Sequence, residues 1–214
     1  AMKVNFSKLV QRKQHIVSTL TGGVKQLLKK NKVTFIKGEA TVTKDLEVKV
    51  NNQTYQAKDI ILATGSKPFI PPIEGLNDIK YETTDTFFDI ETLPKQLAII
   101  GGGVIATELA SSMADLGVEV TIIEVNEDIL LTEIEEVREL LKDHLKNQSI
   151  RILTGAKISK VTTSKVILDN HEDVSFDTLL VATGRQPNIK VAEDLDIDMD
   201  GKFVQVDEHY QTTI

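Results

Sequence analysis

An α/β fold built around a parallel sheet is what this 214-residue sequence predicts, and three observations predict it. From residue 97 onward, short apolar runs alternate with helix-length amphipathic segments. A glycine triplet, Gly101-Gly102-Gly103 in "QLAIIGGGVIATELA", falls where a buried strand hands over to a helix. Two short stretches recur in the same order at nearly the same separation, the mark of a duplicated module.

Taken in order, residues 6 to about 30 carry Leu9, Ile16, Leu20, Val24, Leu27 and Leu28 among Lys, Arg and Gln. That spacing predicts a helix with one polar face, with Gly22-Gly23 as a candidate break. Strands are expected at "VTFI" (33–36), "EVKV" (47–50), "TYQA" (54–57) and "IILA" (60–63), with Asn51-Asn52 as a turn. Beyond 97 come a strand (97–100), a helix (about 103–116), a strand (118–124), a helix (about 133–146) and a strand (150–153). Such alternation implies parallel strands with right-handed crossovers. The second of these helices is expected to bury Ile134, Val137, Leu141 and Leu145, which recur at three- and four-residue steps.

The repeat pairs "VTFIKGEA" (33–40) with "IRILTGAK" (150–157), and "DIILATGSKP" (59–68) with "TLLVATGRQP" (178–187). The glycine of Ala-Thr-Gly lies 27 residues after Gly38 in one copy and 29 after Gly155 in the other. The second copy opens with a strand, a glycine turn and a βαβ unit, whereas a single helix precedes the first. The glycine-rich opening of the first copy is therefore expected upstream of residue 1, and Ala1 before Met2 reads as an added residue.

Gly101, Gly103 and Ala106 fill a G-x-G-x-x-G/A pattern after a strand and at the head of a helix, a Rossmann-like fingerprint. Gly101 permits the tight turn, Gly103 leaves room for a pyrophosphate against the backbone, and Ala106 lets helix and strand lie close. Free N–H groups and the positive end of the helix dipole favour an anion there. Glu124 ends the next strand, 21 residues after Gly103, where a carboxylate can accept from an adenosine ribose. It pairs with the free 2′-hydroxyl of NAD and repels the 2′-phosphate of NADP, and "VNEDILLTE" (125–133) supplies no Lys or Arg. NAD is the expected ligand.

A net charge of −7 offers no basic face to nucleic acid, and no apolar run approaches the ~18 residues of a membrane span. With no cysteine the chain forms no disulfide and no thiolate metal site, and its N-terminus lacks the apolar core of a signal peptide; a cytoplasmic setting is expected. His15, His144, His171 and His209 are scattered, so neither a catalytic nor a metal site is assigned.

Two similar modules with paired Ala-Thr-Gly strands resemble the flavin-dependent pyridine nucleotide-disulfide oxidoreductases. "VQRKQHIVSTLTGGVKQLLKKNKVTFIKGEA", "TLPKQLAIIGGGVIATELA" and "ATGRQPN" are most similar to the dihydrolipoamide dehydrogenases of that family, with mercuric and glutathione reductases close by. The resemblance implies an NAD-binding domain over 85–188, with a parallel sheet and an inserted antiparallel β-meander. It further implies a truncated, homologous FAD-binding domain over 1–84 and a return segment over 189–214.

By the same resemblance, Gly101, Gly102, Gly103, Val104, Ile105, Ala106 and Glu108 form the nicotinamide dinucleotide loop and its helix. Glu124 holds the ribose, Ile158 contacts adenine, and Gly184 lies near the nicotinamide. Ala40, Thr64, Gly65 and Ser66 contact FAD. Val104 stands where some relatives carry a Tyr over the flavin, so that gating ring is missing. The family's first phosphate loop, redox cysteines, last flavin segment and dimerisation domain have no counterpart in these residues.

The implied activity of the full-length parent, a homodimer, is hydride transfer between NAD(H) and FAD, coupled to dihydrolipoamide or another dithiol or disulfide. The chain alone is expected to bind NAD(H) weakly, retain little FAD and turn over no disulfide. An NADH oxidase or peroxidase of the same superfamily, or a stand-alone NAD-binding regulatory module, are the alternatives.

Overall fold

The structure, a computed structural model, describes residues 4–214. They divide into two compact units: residues 68–185 with the start of the chain up to Val10, and Gln11–Lys67 with Gln186–Ile214.

Helix α1 (Phe6–Lys30) is continuous through Gly22-Gly23, so the candidate break is absent. Neither glycine takes a positive φ, and a glycine inside a helix costs only about 1 kcal/mol, too little to interrupt 25 residues. None of its residues is buried. Strands β1 (Thr41–Val42), β2 (Val48–Val50) and β3 (Gln53–Tyr55) form an antiparallel meander. Asn51 and Asn52 turn between β2 and β3 with φ of 52° and 61°, the left-handed pair a two-residue hairpin demands.

The expected strands at 33–36 and 60–63 do not form. Phe35 is 66% exposed and Ile61 90%. The second copy supplies the reason: there the equivalent runs are the flanking strands of a sheet whose two middle strands precede them in the chain. Within 11–67 no described strand plays that middle part. An apolar run without a neighbour to satisfy its N–H and C=O groups gains nothing from extending.

Strand β4 (Ser66–Pro68) and the short β5 (Glu82–Thr83) lead into β6 (Gln96–Ile100), α2 (Val104–Asp115), β7 (Glu119–Ile123), α3 (Glu135–Asn147) and β8 (Arg151–Leu153). A second antiparallel meander follows, β9 (Ile158–Val161), β10 (Lys165–Leu168) and β11 (Val174–Ser175), then β12 (Thr178–Val181) and β13 (Arg185–Pro187). Five strands make one parallel sheet in the order β5-β12-β6-β7-β8. From β6 the chain steps one way to β7 and β8, then returns to place β12 on the other side of β6. The carboxyl end of β6 is thus a topological switch point, where open α/β sheets bind ligands.

Alternation along the strands divides the core into two layers. Leu97, Ile99, Val120 and Ile122 pack with Ala106, Leu109, Ala110, Met113 and Leu145 from the helices. Ala98, Ile100, Ile123, Leu179 and Val181 face Val161, Val166, Leu168 and Phe176 of the meander side. The fold is α/β with a parallel sheet and an inserted meander, as the sequence predicts. Expected burial along α3 is corrected: only Leu145 is buried, while Val137 and Leu141 are 38% exposed and Ile134 67%. Apolar spacing identified the inward face, but the helix meets the core only near its C-terminus.

In the other unit, α4 (Lys190–Asp194) with β14 (Met199–Asp200) and β15 (Phe203–Val204) completes a small cluster. Ala192, Leu195 and Ile197 pack there against Val42, Leu62 and Val204.

Candidate functional site

Above the carboxyl end of β6 lies a cleft of about 710 Å³, all of it lined from residues 69–185. Gly101, Gly102, Gly103, Val104 and Ile105 form one wall, Glu124 to Leu131 contribute another, and Ile158, Thr183, Gly184 and Arg185 close the far side.

Each glycine of the triplet has a different reason. Gly101 has φ 111°, and a Cβ on it would stand 2.4 Å from the Ala182 carbonyl oxygen of the segment leaving β12. Its N–H continues the sheet by donating to the Ile123 oxygen at 2.8 Å. A Cβ on Gly102 would strike Ile129 at 2.6 Å and the Glu124 carboxylate at 3.0 Å. Gly103, the residue capping α2, has ordinary extended backbone (φ −78°), and a Cβ there would meet nothing within 4 Å. Only its side faces open space, at the helix start where unpaired N–H groups can receive an anion. Ala106 is fully buried between helix and sheet.

Glu124 is buried, and both of its carboxylate oxygens are engaged. Its Oε2 accepts from the Gly102 N–H at 2.6 Å, and its Oε1 accepts from the Asn126 N–H at 2.8 Å and Asn126 Nδ2 at 2.7 Å. The Gly102 oxygen in turn accepts from the Leu130 N–H at 2.8 Å. Glu124 therefore joins the glycine loop to the loop after β7. A carboxylate has about four lone-pair sites, so a further donor such as a hydroxyl can still be accepted.

Asp128, also on the cleft wall, draws two cations from α3: Arg138 Nη1 lies 2.9 Å from its Oδ2 and Lys142 Nζ 3.1 Å from its Oδ1. Burial opposes ionisation of Asp128, but hydrogen bonds from Lys142 and the Ile129 N–H, with the charges of Lys142 and Arg138, outweigh it and lower its pKa. Hydrogen bonds to Glu139 and Asp128 raise that of Lys142. Arg138 Nε is a buried donor with no partner among the described residues.

The residues expected from the sequence are placed as follows. Gly101 through Ile105, Glu124, Ile158 and Gly184 share the cleft wall, and Gly184 has φ 108° with open space beside it. Glu108 is exposed on α2 and is not part of that wall. Ala40, Thr64, Gly65 and Ser66 belong to the other unit or its edge. There Thr64 Oγ1 donates to the Asn188 oxygen at 2.7 Å, and the Asn188 N–H donates to the Gly65 oxygen at 2.9 Å. Sequence reasoning missed Asn126, Asp128 and Arg185. Arg185 Nη1 reaches Thr84 Oγ1 at 2.9 Å and Asp85 Oδ1 at 2.6 Å, pairings about a hundred residues apart that no local pattern announces. Among the described residues no group of three or more His, Asp or Glu is placed to hold a metal, and no helix is long and apolar enough to cross a membrane.

Comparison with known proteins identifies the family. The family described as pyridine nucleotide-disulphide oxidoreductase matches residues 3–214. A dihydrolipoyl dehydrogenase of Acholeplasma laidlawii is 37% identical over 98% of this chain and 65% of its own length. One from Mycoplasma genitalium is 35% identical over 99% and 48%. A mercuric reductase of Staphylococcus aureus is 36% identical over 72% and 29%. The HOCl-induced flavoprotein disulfide reductase RclA from Escherichia coli superimposes with a TM-score of 0.89, at 26% identity, over 99% of this chain and 51% of its own. The chain thus spans about half to two thirds of the length of these dihydrolipoyl dehydrogenases. Fold, switch-point cleft and a match along nearly the whole sequence agree: this chain belongs to the pyridine nucleotide-disulphide oxidoreductases.

Proposed function

We propose that the cleft at the end of β6 binds NAD(H), and that the chain is the nicotinamide-dinucleotide-binding portion of a flavoprotein acting on a dithiol or disulfide, in the manner of a dihydrolipoamide dehydrogenase. The observation that carries this reading is Gly103: an extended, unstrained residue with vacant space beside it at the head of α2. Sterics inside the fold call for glycine at 101 and 102 but not at 103, and a pyrophosphate lying on the backbone supplies the requirement. The cradle therefore fits the diphosphate.

In this assignment the N–H groups opening α2 bind the diphosphate, and Glu124 accepts from the adenosine ribose while keeping Gly102 in place. Ile158 borders the adenine, and Gly184 lets the nicotinamide end approach the backbone. Glu108 stands one turn along α2 on the nicotinamide side. When bound, the nicotinamide supplies hydride chemistry, and the protein's part is to position and shield it. Ala40, Thr64, Gly65 and Ser66 are proposed as contacts of FAD, and a dithiol or disulfide substrate and a homodimeric, cytoplasmic parent belong to the same proposal.

Ligand-induced stabilisation tests it. NADH at about a hundred times its Kd should add about 2.7 kcal/mol to stability, or about 5 to 11 °C in Tm. Glu124→Gln, which removes the charge that strengthens these hydrogen bonds, should weaken NADH about tenfold or more. No rise in Tm with millimolar NADH, and no heat on calorimetric titration, would exclude the assignment.

A further inference from the structure

Beside this cleft two cations converge on one carboxylate, an arrangement that the linear sequence conceals. Residues 125–133 contain no Lys or Arg, yet folding brings Arg138 and Lys142 of α3 onto that loop, at 2.9 and 3.1 Å from Asp128. Asp128 lies in the cleft wall with Glu124, whereas neither cation does. All three side chains are more than four-fifths buried, so the pairs are shielded from bulk water.

Resting on the NAD(H) reading above, we propose that Asp128 is a selectivity determinant: it captures Arg138 and Lys142 and thereby denies a 2′-phosphate the cations it would need. A guanidinium and an ammonium near the ribose end are the groups suited to a phosphate monoester. Here one carboxylate engages both. Arg138 Nε is buried with no partner among the described residues, so the Nη1 bond to Asp128 is the contact that anchors the guanidinium. Lys142 is also bonded to Glu139, which leaves Arg138 the freer of the two once Asp128 is neutralised. Glu124 repels the extra phosphate directly, and Asp128 withholds its counter-charges.

The test uses the intact chain, with Kd values for NADH and NADPH measured by calorimetric titration. Asp128→Asn keeps an acceptor for the Ile129 N–H and removes the charge that holds the cations. The NADPH to NADH ratio of Kd values is expected to fall about tenfold or more, through tighter NADPH, and added salt should erode the gain. Asp128→Asn with Arg138→Gln and Lys142→Gln should restore the native ratio. Asp128→Ser provides the same measurement if the amide variant does not fold.

An unchanged ratio in a folded variant that still binds NADH overturns the proposal and leaves the NAD(H) reading standing. A reduced ratio that persists in the triple variant overturns it as well, because the cations would then play no part. Loss of NADH binding in folded Asp128 variants makes the residue a general binding group and also refutes it. If the native chain binds neither dinucleotide, the underlying reading fails first and takes the proposal with it.

Discussion

Alanine at position 103 separates folding from binding. The new Cβ meets nothing within 4 Å, and φ of −78° suits any residue. Two small terms oppose each other. Alanine caps a helix less well than glycine, at a cost of about 0.5–1 kcal/mol. Against this, it restricts the unfolded chain, gaining about 0.4–1 kcal/mol. They offset, so Tm should stay within about 4 °C of the native value. The methyl group instead fills the approach to the N–H groups at the head of α2. Losing one charge-assisted hydrogen bond costs about 1.5–3 kcal/mol, which is about 10- to 150-fold in Kd for NADH. Gly101→Ala is the control with the opposite profile. Its Cβ would lie 2.4 Å from a backbone oxygen and 2.8 Å from the attached carbon, on a residue at φ 111°. Backbone strain of about 1–3 kcal/mol and overpacking of about 1–3 kcal/mol combine to lower Tm by about 4 to 24 °C. Circular dichroism melts and calorimetric titration read both quantities. A Gly103→Ala chain that binds NADH as tightly as native, or melts as early as Gly101→Ala, would refute the assignment of that space to a phosphate.

Ile99→Ala, at a fully buried position of the central strand, should cost about 2–5 kcal/mol; a loss below 1 kcal/mol in denaturant titration would mean the helix-side layer is not packed as described. The ion-pair cluster should be sensitive to acid. Because the Asp128 pKa is lowered on folding, its contribution is present above the ordinary carboxylate range and lost as pH falls through its lowered value. Lys142, with its pKa raised, contributes below the ordinary lysine range and loses that only as pH rises through its raised value. At neutral pH both contributions are therefore in place. The Tm gap between native protein and Asp128→Asn should shrink between about pH 7 and about pH 3, and a gap that stays constant would contradict this.

The half of the fold from β6 to β12 was legible because its signals are strong: near-continuous apolar runs in β6, β7 and β12, strands covered on both faces, and three- and four-residue steps in α3. The runs at 33–36 and 60–63 were misread because periodicity reports what a segment could pair, not whether a neighbour exists. Leu145 is buried and Ile134 is not because one helix face can point toward a core and still overhang it. The glycine turn and the carboxylate beside it were readable from Gly101, Gly103, Ala106 and Glu124, whose spacing is local. Asp128 with Arg138 and Lys142 was not, since their meeting depends on how α3 returns across the loop. Gly102 fills an unspecified position of the pattern, and its crowding by Ile129 and Glu124 arises only in the folded chain.

The peptide of Gly102 is gripped at both ends, its N–H by Glu124 and its oxygen by Leu130. A turn tethered in this way is set in advance, so a dinucleotide bound as proposed would spend little of its binding energy freezing the chain. Affinity then depends on bonds within the loop as well as on direct contacts. A change at Asn126, which steadies the carboxylate from the cleft wall, should loosen the turn and speed ligand escape.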